Sequence, residues 1–213
     1  MADQNEPEFD VNKITQAAAR GDTKIDDLRE LLEAAPDGTV NRVNNYGRTA
    51  IQAMNMMRPD ITRLLLEWKA NPNVPDPDVG RTPLHDAVEQ GYLETVSLLL
   101  DHGANALARD NWGNTPAHIA AGAGNSDRIT QVLELLHRTA TLSEVNDNGQ
   151  TPLDVAVEKG HQDIVALLQQ LGRRVQSLQF LARRTIRRRI PPIRMDELRP
   201  VVPDVVIDFL KNR

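Results

Sequence analysis

The sequence predicts an all-α fold: a solenoid of five stacked helix–turn–helix units with hairpin fingers, followed by a short helical C-terminal tail. Three observations predict it. A Gly-x-Thr phrase recurs at Gly47, Gly80, Gly113 and Gly149, spaced 33, 33 and 36 residues apart. Self-similarity at that period is the mark of a stacked repeat array. Aromatic residues make up only 3% of the chain while hydrophobic residues make up 40%, so Leu, Ala and Val supply the bulk, which suits packed helices better than a β-sandwich. Charge is divided as well. Residues 173–213 hold 11 Lys+Arg against 4 Asp+Glu, and residues 1–172 hold 14 against 26. A net of +7 beside a net of −12 suggests two functional parts meeting near Gly172. The plainer alternative is an acidic body and a basic tail that simply attract each other.

The 213 residues fit one domain or one and a half. Residues 1–9 read as a flexible N-terminus, polar and acidic, unlike a secretory signal or a transit peptide. No apolar run approaches the ~20 residues needed to span a bilayer. The chain has no cysteine, which excludes disulfide scaffolds, thiolate zinc sites and cysteine nucleophiles. The expectation is a cytoplasmic and nuclear protein.

The units follow in order, at about 10–43, 44–76, 77–109, 110–145 and 146–171. The first carries Ala17-Ala18-Ala19-Arg20-Gly21 and Leu31-Leu32 in the places its neighbours lead one to expect. In the third, fourth and fifth, Thr82-Pro83, Thr115-Pro116 and Thr151-Pro152 start a helix. Thr caps it, and Pro takes the first helical position, where a missing N–H costs nothing. Eleven residues past each phrase glycine stands another, Gly91, Gly124 or Gly160. It supplies the positive φ of a tight reversal between two helices. A leucine-rich second helix follows, with Leu93, Val96, Leu99 and Leu100 as one apolar stripe in the third unit. Such a unit cannot bury its own face and must stack on its neighbours.

The second unit breaks the pattern. It lacks Thr-Pro, and Arg58-Pro59 comes where the others place their second glycine. A proline so soon predicts a first helix of one short or 3₁₀-like turn. An irregular stretch in a regular array is where function is worth suspecting. The alternative is that its methionines only fill an odd gap. The fourth unit carries three extra residues between Gly124 and Leu136.

The period together with the phrase Thr82-Pro83-Leu84-His85-Asp86-Ala87 identifies the units as ankyrin repeats. A narrower resemblance rests on Asn45-Tyr46-Gly47-Arg48-Thr49-Ala50-Ile51-Gln52-Ala53-Met54-Asn55-Met56-Met57, on Asn73-Val74-Pro75-Asp76-Pro77-Asp78 and on Pro83 through Thr95. These segments resemble the second and third repeats of the ankyrin-type inhibitors of cyclin-D-dependent kinases. Asp110-Asn111-Trp112-Gly113 is similar to that family's D-A-W-G. The resemblance covers about 10–171 and is strongest over 41–120.

The resemblance implies a protein that binds a monomeric cyclin-dependent kinase of the 4/6 type beside its ATP cleft. It would select a conformation poor in ATP and cyclin binding. It implies that Asp76, Asp86 and Glu94 meet basic groups of the kinase, with Asp76 in a hairpin finger one residue longer than its neighbours. Met54 and Met56 would support the short helix and its contact. The bland reading of the three acids is a solvated acidic face. Glu89 departs from the family, which commonly has a kinase-contacting Arg there, and Lys69-Ala70 replaces the usual Gly-Ala.

The tail, 173–213, resembles a SOCS box. In its first half Ser177, Leu178 and Ile186 match the elongin-binding motif, while Ala182 occupies the cysteine position. The smaller side chain removes some buried contact. In its second half Val202, Pro203, Val206, Phe209 and Leu210 match the cullin-selecting motif, with Pro200-Val201 in place of Leu-Pro. The resemblance implies elongin B/C and a cullin as partners. Rival readings of the arginine-rich stretch are a nuclear import signal, nucleic-acid contact or a membrane-lying helix. The apolar, proline-punctuated second half argues against nucleic acid and membrane.

No H-E-x-x-H pair, Walker loop or dinucleotide loop is present, and His85 and His118 occupy the repeat slot that bonds to neighbouring loop backbone. The expectation is a binding protein and not an enzyme, with no cofactor, no metal and a monomeric state when unbound. The alternative is an ankyrin-repeat SOCS-box receptor for some other protein, with no kinase inhibition.

Overall fold

The computed structural model describes residues 9–124 and 127–173. The chain divides into two units, Met1–Leu168 and Gln169–Arg213. All regular structure among the described residues is helical, and apart from a 3₁₀ turn at Thr39–Asn41 it comes in pairs. Helices α1 (Val11–Ala19) and α2 (Ile25–Glu33) form the first pair. Next come α3 (Ala50–Ala53) with α4 (Pro59–Glu67), and α5 (Pro83–Glu89) with α6 (Leu93–Asp101). Then follow α7 (Pro116–Ala123) with α8 (Asp127–Thr139), and α9 (Pro152–Lys159), after which 162–168 is helical. In the second unit 169–173 is helical.

The first helices of the pairs stack in one row, α1 on α3 and α5 on α7 on α9. The second helices stack in another, α2 on α4 on α6 on α8. Leu28, Ile61, Leu65, Leu84, Leu99, Leu133 and Ile164 are fully buried between the rows. Each such side chain contributes about 1.5–3 kcal/mol on leaving water.

The helix starts follow their local chemistry. Thr82, Thr115 and Thr151 each precede a proline at the first helical position, with a capping box closed by His85, His118 and Asp154. Gly91 has φ +70°, and a Cβ there would come within 2.9 Å of the Arg128 Cβ. Both the left-handed turn and the close approach of the next repeat therefore require glycine.

The short first helix expected in the second repeat is α3, four residues long, ended by Met54 in extended conformation. The chain then returns, with the Asn55 N–H bonded to the Ala18 carbonyl at 2.9 Å. The Arg58 guanidinium bonds the carbonyls of Gly21 and Thr23. With so little of α3 to stack upon, continuity along the array runs through α4 packing on α6. The extra residues of the fourth repeat lengthen α8 to 13 residues against 9 in α6.

The apolar stripe expected on α6 packs on the core but is wider than four residues. The buried residues of α6 are Thr95, Val96, Leu98 and Leu99, whereas Leu93 and Leu100 are only partly covered. A single stripe assumes one partner. This helix packs against α4 on one side, α8 on the other and α5 beneath, so a wider arc is buried.

Candidate functional site

The repeats are joined by fingers, each organised by one Asn or Asp. In the second repeat the Asn44 side-chain oxygen accepts the N–H groups of Tyr46 and Arg48. Asp110 does the same for Trp112 and Asn114, and Asn146 for Asn148 and Gln150. Short polar side chains close turns in this way. The finger between the second and third repeats is one residue longer. There the Asp76 N–H reaches the Arg81 carbonyl, five residues on, where Asn44, Asp110 and Asn146 each reach four. Asp76 Oδ1 accepts the N–H groups of Asp78 at 2.9 Å and Val79 at 3.2 Å.

Asp76 is therefore buried, at 6% exposure. Its second oxygen pairs with the Arg48 guanidinium of the preceding finger. Burial alone would raise its pKa; the two amides and Arg48 outweigh that and hold it below the usual carboxylate range. The carboxylate that looked exposed in sequence is spent on its own finger and on Arg48.

Asp86 differs. It lies on α5, half-buried. Its carboxylate accepts no hydrogen bond and joins no ion pair among the described residues. Burial raises its pKa against the pull of Arg81 and Arg48. Arg81 is bonded to Glu89 at 2.9 Å, and Arg48 to Asp76. The structure thus brings Asp76, Asp86, Glu89, Arg48 and Arg81 into one charge cluster, in which both arginines have partners and Asp86 has none.

Glu94 stands apart from that cluster, in the first turn of α6, with Arg63 at 3.8 Å. It lines a shallow groove with Met56, Met57 and Tyr92. The Met56 carbonyl accepts the Thr95 hydroxyl at 2.8 Å, which ties the short-helix repeat to the next one. Met54 is buried, its sulfur 3.4 Å from the Thr62 hydroxyl. Its part is support of α3 from within, and the methionine that faces solvent is Met57, 67% exposed.

Sequence reasoning did not single out Met57, nor the finger-tip aromatics Tyr46 and Trp112, 84% and 54% exposed. The signal was present: each aromatic immediately precedes the finger glycine, at the tip where no neighbour can cover it. Of the tail residues, Leu178, Ala182, Ile186, Val202, Pro203, Val206, Phe209 and Leu210 lie outside the described residues.

Between fingers runs a relay. The His85 Nδ1 accepts the Thr82 N–H at 3.1 Å, and its Nε2 lies 3.2 Å from the Asn114 carbonyl. His118 repeats this with Thr115 and the Gln150 carbonyl. Nδ1 accepts, so Nε2 carries the proton and donates. In the second repeat Gln52 performs both parts, its oxygen accepting from the Thr49 N–H and its amide nitrogen donating to the Val74 carbonyl. Asp154 of the fifth has no proton to donate and only closes its own cap. Among the described residues no group of His, Cys, Asp and Glu could hold a metal. None of their helices is long and apolar enough to cross a membrane.

Family models describing ankyrin repeats match residues 14–110, 84–137 and 148–175. The chain is 41% identical over 133 residues to Cyclin-dependent kinase inhibitor 2A of Monodelphis domestica, covering 62% of this chain and 75% of that protein. It is 41% identical over 114 residues to human Cyclin-dependent kinase 4 inhibitor B, covering 54% of this chain and 80% of that one. The chain belongs to the ankyrin-repeat family of cyclin-dependent kinase inhibitors. Human Cyclin-dependent kinase inhibitor 2A is 40% identical over 114 residues, 54% of this chain and 70% of that protein. In this member of the inhibitor family, the open acid of the third repeat is Asp86, and Glu89 is bound to Arg81.

Proposed function

We propose that this chain binds a monomeric cyclin-dependent kinase of the 4/6 type and disfavours its binding of ATP and cyclin. It would thereby restrain entry into the cell cycle from the cytoplasm and nucleus. It acts by binding and not by catalysis. The observation that carries the reading is Asp86, a half-buried carboxylate with no partner of its own, in a chain about 40% identical to named kinase inhibitors. A desolvated, unpaired carboxylate is costly to the free protein. A partner's Arg or Lys relieves that cost on docking, which turns a local penalty into affinity. Met57, Tyr92 and Glu94 form a second contact region along their groove. Asp76 contributes by shaping the finger between the second and third repeats, since its oxygens are already engaged.

The test is calorimetric titration of the full chain into the monomeric kinase. One-to-one binding below about 1 μM, weakened more than about tenfold by Asp86→Asn, is the expected result. No binding at about 50 μM would end the kinase reading, and an Asp86→Asn chain that binds as well as the unaltered one would remove that residue from the contact.

A second reading concerns the tail. Ser177, Leu178 and Ile186, followed by Val202, Pro203, Val206, Phe209 and Leu210, support capture of elongin B/C and a cullin. The array would then deliver its partner to a ubiquitin ligase. Kinase turnover that stays the same when this protein is overexpressed or deleted would refute the coupling.

A further inference from the structure

We infer that Glu89 is a positioning residue for Asp86: by holding Arg81 in an ion pair, it keeps the Asp86 carboxylate open to a cationic side chain of the protein partner. The identity of that partner rests on the kinase reading above, whereas the internal contest for Arg81 does not.

The three groups share one short stretch. Arg81 sits just before the Thr82 cap, and Asp86 and Glu89 stand three residues apart on α5, on one helical face. Arg81 therefore has two carboxylates beside its entry to the helix. It pairs with Glu89, 2.9 Å away, yet its charge is also the main force opposing the effect of burial on Asp86. The other arginine felt by Asp86, Arg48, is held by the buried Asp76. With Glu89 charged, Arg81 is occupied, and the trio carries one uncompensated negative charge at Asp86. With Glu89 neutral, the only unpaired carboxylate in this cluster is Asp86, and Arg81 turns to it. The site then closes on itself, and an incoming cation must first displace Arg81.

Glu89→Gln separates this mechanism from a direct contact of Glu89 with the partner when it is combined with Arg81→Met, which keeps an apolar stem but removes the charge. Side chains of Arg81 and Glu89 are 25% and 37% exposed, so neither change threatens folding. Two readouts on the full chain decide the matter. Glu89 also repels Asp86 directly, so in the free protein NMR titration of the Asp86 carboxyl is expected to move to lower pH in E89Q by more than the same substitution moves it in the Arg81→Met background, where only that repulsion is lost. Against the monomeric kinase, E89Q is expected to bind about two- to fivefold more weakly, the scale of a partly exposed ion pair. The double variant is expected to bind as the unaltered chain does, because Asp86 is open again. An E89Q shift no larger with Arg81 present than in the Arg81→Met background would overturn the inference, because lost repulsion from Glu89 would then account for all of it. So would a double variant that stays as weak as E89Q, since Glu89 would then act through its own charge. Should the unaltered chain fail to bind the kinase at all, the functional reading falls, and the titration alone still decides the role of Glu89.

Discussion

The relay between fingers makes a sharp stability prediction at His85. The imidazole is fully buried, and it satisfies the Thr82 N–H and donates to the Asn114 carbonyl. Leu at this position fills similar space and supplies neither bond. The Thr82 N–H has no other acceptor and becomes a buried, unmet donor, which costs about 1–3 kcal/mol. The Asn114 carbonyl still receives the Asp110 N–H, so losing its second bond adds about 0.5–1.5 kcal/mol. His85→Leu should therefore destabilise by about 2–4 kcal/mol, a large part of the ~5–15 kcal/mol that holds a domain together. His85→Gln should cost about 1 kcal/mol or less beyond its added side-chain entropy, because Gln52 already performs both roles in the second repeat. Urea unfolding followed by circular dichroism measures both variants, with an unchanged m-value confirming that the transition is the same one. A Leu variant within about 0.5 kcal/mol of the unaltered protein, or a Gln variant as damaged as the Leu one, would refute the relay.

Two further predictions follow from the structure. Burial holds His85 and His118 below the ordinary histidine range, so both are neutral when folded and bind protons more readily when unfolded. Their contribution is complete above the unfolded pKa of about 6.5 and is lost as pH falls through their depressed folded values. The His85→Gln/His118→Gln double variant should show a visibly flatter decline in stability from pH 7 to 5, measured by thermal unfolding. Lys69 has φ +63° and is the one non-glycine residue in the left-handed region among those described. Lys69→Gly should stabilise by about 0.5–1 kcal/mol, the left-handed penalty less the added freedom of the unfolded chain; an unchanged or lower melting temperature would show that the Lys69 backbone is not strained.

Much of the scaffold was legible because its causes are local. Thr-Pro at 82–83, 115–116 and 151–152 announced three helix starts, and Arg58-Pro59 announced that α3 would be short. Caps, proline rings and positive-φ glycines act within a few residues, so a single strand of sequence contains the whole argument. The candidate site was legible only in part. Asp76, Asp86 and Glu94 read alike as acids on a repeat surface, yet the fold buries the first, half-buries the second and exposes the third. Met54 and Met56 read as a pair, and only Met54 became core.

Residue order is enough to establish the repeat, its period and the place where the array is irregular. Which acid is left open follows from how the repeats stack. Asp76 is taken by Arg48 from 28 residues back, Glu89 is taken by Arg81, and Asp86 has neither. A side chain's availability depends on what the neighbouring repeat brings within a few ångströms, and stacking, unlike capping, sets distances between residues that are about thirty positions apart in the chain.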